Sequence, residues 1–253
     1  MRYTKEHLEL RLSYLLYRMS QLPKGSFGQH HGYRVLYLDS TPENPNMKRK
    51  EYGVNSKKAK EYKDGVTEYL QLKDEYDRLL KQWNATYKEP PRRISFPLRK
   101  KRPDPIPYEA FEKMVPDQNP CKAKITFKVE GMNVKSKNEA VAVILVGEMS
   151  YRMLNEPNLN LKRWFDNHPD IVFEVPEIQK IIVIEVDGSM DDPAEANKAE
   201  TRRKTYVNAG FREMKDVIFI RLTNTSTGVP LDVDYIRDMI IAAINLCIQD
   251  IIF

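Results

Sequence analysis

The chain has 253 residues, 41% of them hydrophobic and 30% charged, with a formal net charge of +5. That length allows one large domain or two small ones. No run approaches the roughly 18 apolar residues of a membrane span, and the first 30 residues lack the apolar core of a signal peptide. The only cysteines, Cys121 and Cys247, have no metal-ligand spacing and read as reduced thiols of a cytoplasmic protein. The net charge conceals an asymmetry. Residues 1–102 carry 23 Lys/Arg against 12 Asp/Glu, and residues 103–253 carry 18 against 24. A basic half suited to a polyanion precedes an acidic half suited to a cation.

Residues 4–22 predict an amphipathic helix capped by Thr4, with Leu8, Leu12, Leu15, Met19 and Leu22 on one face. Pro23 and Gly25 stop it. Tyr33, Val35 and Tyr37 alternate within His31–Asp39 and predict a strand. Ser40–Asn46 is a turn, and Lys48–Val54 predicts a second strand. Ser56 caps a long helix to about Tyr87, with Val66, Leu79 and Trp83 on its apolar stripe. These elements make residues 1–87 a helical arm with a small β-hairpin, open to homodimer formation through its helices. Residues 88–120 read as a basic linker interrupted by Pro90, Pro91 and Pro97. Within it Arg92, Arg93, Arg99, Lys100, Lys101 and Arg102 are candidate phosphate contacts.

The pattern changes over residues 121–253. Ile125–Val129 predicts a strand, and Ser136 caps a helix to about Met149. Tyr151–Leu154 is short and extended. Asp170–Val175 and Ile181–Val186 are strands rich in Ile and Val. Asp191 or Asp192 caps a helix with Pro193 at its first position, and Gly210 ends it. Val217–Leu222 is a strand, and Leu231–Ile251 an apolar helix. Helix, three strands, helix, strand, helix implies an α/β fold with a mixed sheet between helices. A carboxylate opens one strand at Asp170, and another closes the next at Glu185. A short turn between those strands brings both acids to one end of the sheet, where buried apolar strands have no use for them. A hard divalent cation does.

This arrangement resembles the αβββαβ core of the PD-(D/E)XK phosphodiesterases, the restriction-endonuclease-like superfamily, over Ser136–Leu222. Val134-Lys-Ser-Lys-Asn-Glu139 looks like the start of that superfamily's first helix, and Pro169-Asp170 matches its second motif. The third motif departs from the pattern. Glu185-Val186-Asp187 has an aspartate where the superfamily has lysine. Ser189-Met-Asp-Asp-Pro193, followed by Lys198, Arg202 and Tyr206, resembles a branch that moves the lysine onto the following helix. That branch comprises small bacterial proteins with a helical N-terminal arm. The resemblance implies a nuclease that cuts DNA. Glu139, Asp170, Glu185 and the carbonyl of Val186 would hold Mg²⁺ or Mn²⁺, and Lys198 or Arg202 would supply the missing positive charge. The alternative is a catalytically silent nucleic-acid-binding or oligomeric adaptor protein on the same fold.

Overall fold

The structure, a computed structural model, describes residues 4–120, 127–159, 168–222 and 232–252. Cys121, the start of the predicted strand at Ile125, and Leu231 lie outside the described residues. The chain forms two compact units that divide between Pro97 and Leu98.

The first unit, Thr4–Pro97, holds two helices and a three-stranded antiparallel sheet. Helix α1 spans Lys5–Ser20, and the Thr4 hydroxyl accepts from the His7 amide at 3.3 Å. Strands β1 (Lys24–His30), β2 (Tyr33–Ser40) and β3 (Lys50–Gly53) follow, and then α2 (Lys57–Thr86), capped by Ser56. Leu36 and Leu38 of β2 pack with Ala59 and Val66 of α2.

Strand β1 begins where the sequence signals only a helix stop. Gly25 belongs in the sheet because a β-carbon there would lie 2.3 Å from the Tyr37 carbonyl oxygen of β2. A glycine inside a strand often marks such a close approach. The turn His31-Gly32 has both φ angles positive, as the type I′ two-residue hairpin turn requires. Helix α1 is also more enclosed than its apolar stripe predicts, since Glu9, Arg11 and Ser13 are buried with its leucines. Each has a partner. Arg11 forms a two-point ion pair with Glu75, Glu9 accepts from the Arg92 amide, and Ser13 accepts from the Ile94 amide.

The second unit is of the α/β class. Strand β4 (Arg99–Lys100) pairs antiparallel with the last strand, β11 (Ile251–Ile252). Strands β5 (Phe127–Val129) and β6 (Met132–Val134) form a hairpin ahead of α3 (Lys137–Glu148). Then come β7 (Met153–Asn155), β8 (Ile171–Val175), β9 (Lys180–Asp187), α4 (Pro193–Asn208), β10 (Val217–Arg221) and α5 (Val233–Ile248). The main sheet has the order β10-β9-β8-β7. Strands β9 and β10 are parallel, joined through α4, and the other pairs are antiparallel. Every residue of β8 is buried, as is all of β9 except Val186, which accounts for the apolar runs Ile171–Phe173 and Ile181–Ile184. Ile181 and Val183 of β9 pack with Tyr206 of α4 and with Phe211, Val217 and Phe219. Helices α3 and α5 pack on each other, α3 also against β8 and α5 against β10.

The linker expected over residues 88–120 is not a free spacer. Residues 88–97 belong to the first unit, and Ile106 and Phe111 enter the core of the second. Apolar side chains at those two positions outweigh the extending effect of the nearby prolines. Among the described residues no helix is long and apolar enough to cross a membrane.

Candidate active site

The carboxylates meet because of sheet register. Ile171 of β8 pairs with Ile184 of β9, which sets Asp170 beside Glu185 and Val186 at the ends of adjacent strands. The Val186 amide donates to Asp170 Oδ2 at 2.7 Å. Glu185 is 2% exposed. The alternation of β9 points Ile181, Val183, Glu185 and Asp187 to one face. The last two therefore turn from apolar packing to the polar side of α4.

Helix α4 is started by Asp192, whose side chain accepts from the Ala194 amide at 2.8 Å. Ala199, Arg202 and Tyr206, at i, i+3 and i+7, then face the sheet. The Tyr206 hydroxyl donates to Glu185 Oε1 at 2.6 Å. Arg202 Nη1 donates to Glu185 Oε2 at 3.0 Å and to Asp187 Oδ1 at 3.1 Å. Asp187 is 6% exposed, and its Oδ2 is the buried side-chain oxygen left without a partner among the described residues.

The electrostatics follow from this crowding. Burial, then the negative charges of Glu185 and Glu139, push the Asp170 carboxyl well above the usual range. Burial raises Glu185 to about 7, although the Arg202 charge and the Tyr206 hydrogen bond oppose the shift. Asp187 is raised by burial, again against Arg202. The site thus holds more negative charge than one guanidinium satisfies.

Glu139 is in the first turn of α3 and buried. Its amide donates to Ser136 Oγ, and its Oε2 accepts from the Lys135 amide at 2.8 Å, so it helps close the helix N-terminus. Its charge also acts on Asp170. Glu139, Asp170, Glu185, Val186 and Arg202 therefore belong to one neighbourhood. Lys198 does not, and here the sequence expectation needs correcting. Lys198 pairs with Glu195 at 2.7 Å and its side chain is 67% exposed. The face turned to the sheet runs through Ala199, Arg202 and Tyr206, which leaves Lys198 at its solvent edge.

The basic residues expected to contact phosphate fall in both units. The amide of Arg92 bonds to Glu9, and Arg93 is exposed. Arg99, Lys101 and Arg102 are exposed as well. Lys100, by contrast, is committed inside the fold, to Asp104 and the Gln179 carbonyl. It is not a free phosphate contact, because the β4–β11 pairing draws it against the sheet.

Three features escape the sequence reading. Tyr206 is a direct partner of Glu185, and its i+4 spacing from Arg202 on a helix facing the acids is the signal that could have revealed it. Asp187, the aspartate that stands where the resemblance has lysine, is the second anchor of Arg202. Beside Asp170 stands a further polar group, in which the Glu156 amide donates to the Asp170 carbonyl at 3.3 Å. Lys135 and Asn119 hold the Glu156 carboxylate. No periodicity in the sequence links these positions. Among the described residues, no three carboxylate, imidazole or thiol side chains converge to form a ready-made metal cage. No protein-family model, curated protein or solved structure matches the chain.

Proposed function

We propose that this chain is a metal-dependent nuclease that hydrolyses phosphodiester bonds in DNA, on a restriction-endonuclease-like core. The observation that carries this reading is the juxtaposition of Asp170 and Glu185 at one end of a buried sheet, with Arg202 between Glu185 and Asp187. The donor chemistry fits a hard divalent cation. Asp170, Glu185 and the Val186 carbonyl are oxygen donors, the acids repel one another, and Asp187 buries an oxygen that lacks a partner among the described residues. Mg²⁺ or Mn²⁺ held there supplies Lewis-acid polarisation of a phosphoryl oxygen and lowers the pKa of bound water.

The chain's own residues do the rest. Tyr206 fixes the orientation of Glu185, and Asp187 fixes that of Arg202. Arg202 neutralises the charge that builds on the phosphate in the transition state. Glu139 adds negative charge next to Asp170.

A second reading, a silent nucleic-acid-binding protein on the same fold, draws on one observation: Arg202 and Tyr206 already occupy both oxygens of Glu185. An adaptor that oligomerises through α2 has less support, because Val66, Leu79 and Trp83 are buried within the first unit.

The test is DNA cleavage in Mg²⁺ and in Mn²⁺, with thermal melts alongside. Asp170→Asn and Glu185→Gln abolish cleavage while the proteins still melt cooperatively, and Arg202→Ala lowers turnover by about 10²–10³. Full activity in either carboxylate variant sinks the metal assignment. A wild-type protein that binds DNA but never cleaves it supports the silent reading.

A further inference from the structure

Two features of α4 bear on how a nucleic-acid strand could be held beside the carboxylates. Arg202 donates through Nη1 alone to both carboxylates. Its Nε and Nη2 reach no partner among the described residues, and its side chain is 38% exposed. Beside it an open groove of about 470 Å³ is lined by Asn197, Lys198, Thr201, Arg202 and Thr205. Two of these side chains are cationic and none is acidic.

The nearby acids of the helix are already paired. Glu195 is held by Lys198, and Glu200 lies 3.4 Å from Arg203 and 3.8 Å from Arg221. The Thr201 and Thr205 hydroxyls donate to the carbonyls of Asn197 and Thr201. Both side chains are thereby held close to the helix, and they form a low, uncharged floor. An anion entering the groove meets the open Nε and Nη2 donors of Arg202 at one end and, at the other, the ammonium of Lys198, whose solvent-exposed pair with Glu195 is weak enough for a phosphate to displace. Guanidinium forks bind phosphate oxygens at two points, and an ammonium binds them as a point charge.

We propose that this groove is the track for the sugar–phosphate backbone of a nucleic-acid strand. A phosphate on the open donors of Arg202 and the next on Lys198 would hold the strand along α4, beside the carboxylates. The direction of the track, toward a reacting phosphate, rests on the nuclease reading. The groove's affinity for a polyanion does not. Lys198, outside the carboxylate cluster, thereby acts in binding.

Fluorescence anisotropy with a labelled DNA oligonucleotide, in Ca²⁺ so that the strand is held without turnover, tests the groove. Lys198→Glu and Thr201→Glu each weaken binding by about tenfold or more. Lys198→Glu also lowers the slope of log affinity against log salt by about 0.7–0.9. Lys113→Glu makes the same charge change at an exposed position outside α4 and serves as the comparison. Thermal melts verify that each variant is folded. The proposal is overturned if wild type does not bind the oligonucleotide, or if the Thr201 and Lys198 variants bind as wild type does. It is also overturned if Lys113→Glu weakens binding as much as Lys198→Glu, since the effect is then one of general charge. The nuclease reading is judged separately, by whether wild type hydrolyses the small diester bis(p-nitrophenyl) phosphate in Mn²⁺. A chain that binds DNA through α4 but leaves that diester intact keeps the groove and loses the nuclease.

Discussion

Glu185 concentrates the conflict between folding and chemistry in this protein. Its carboxyl is buried at the end of an apolar strand, and burial raises it from 4.5 to about 7 in the folded state. A carboxylate whose pKa is higher folded than unfolded binds more protons when folded. Stability therefore falls as pH rises between the two values. The loss amounts to about 3 kcal/mol from this residue. Asp170, raised by burial and by its acidic neighbours, adds in the same direction. Asp216 and Asp250 act oppositely. Burial works against them, but hydrogen bonds from Arg212 to Asp216 and from Lys215 to Asp250 hold their pKa values below the ordinary 3.8, so their contribution is lost only in stronger acid. The metal-free protein is thus most stable near pH 5 and less stable at pH 8, and Glu185→Gln flattens the alkaline side of that profile. Melting temperatures in EDTA across this range decide the matter, and a wild-type melting temperature that climbs from pH 5 to 8 contradicts the argument.

At the scale of elements, helices end and meet where particular residues allow. Ser56, Ser136 and Asp192 are legible as caps in the sequence, and each accepts from the start of its helix. The packing of α2 is less legible. Gly65 sits mid-helix, where alanine is ordinarily better by about 1 kcal/mol. Here a β-carbon would lie 2.7 Å from Cγ and 2.8 Å from Cδ of Pro23, a stiff ring that cannot swing aside. The collision outweighs the propensity gain, so Gly65→Ala destabilises the chain by about 1–2 kcal/mol. Gly53→Ala, with open space around the added carbon, serves as the neutral comparison. Thermal melts of the two variants measure the difference. A stabilised Gly65→Ala protein would show that α2 does not approach Pro23 so closely.

At the scale of the whole molecule, β9 carries charge at both ends. Glu185 and Asp187 occupy one end, and Lys180, 3% exposed, occupies the other. Lys180 Nζ donates to Asp104 at 2.6 Å and to Asp216 at 2.5 Å. Arg212 bonds Asp216 and Asp250, and Lys215 bonds Asp250. This network ties the segment after Leu98 and the C-terminal residues to the sheet. Cys247 lies beside it with its thiol pushed up to about 12, chiefly by burial, which leaves it unreactive. Lys180→Met leaves Asp104 and Asp216 without their shared ammonium and costs about 3 kcal/mol. Urea unfolding at neutral pH reads this directly. A variant as stable as wild type would mean that Lys100 on Asp104 and Arg212 on Asp216 satisfy the two acids without it.

Charge also divides by unit. Thr4–Pro97 holds 18 Lys/Arg against 12 Asp/Glu, so the excess of positive charge seen in the N-terminal sequence survives in a folded unit. The exposed run Arg99, Lys101 and Arg102 belongs instead to the unit that carries the carboxylates.

Local chemistry alone determined much of this. Apolar runs bounded by turn residues specify β8 and β9, helical periodicity specifies α2, the Ser136 cap starts α3, and a carboxylate at the end of a buried strand marks Asp170 and Glu185 as acids where apolar residues are expected. Such signals depend only on neighbours along the chain. The strand β1 was not legible, because glycines lower its apparent propensity and only the partner strand shows why they are needed. Arg202 and Lys198 were equivalent in sequence, four residues apart on one helix. The docking of α4 distinguished them, because the stripe Ala199–Arg202–Tyr206 meets the sheet and turns Lys198 to solvent. The tie of Asp187 to Arg202, the clamp of Tyr206 on Glu185, the pairing of Lys100 with Asp104 and the burial of Lys180 were likewise decided in tertiary space. Each is a contact between segments whose spacing along the chain carries no period, and only the register of β8 on β9 and the docking of α4 bring their atoms within bonding distance.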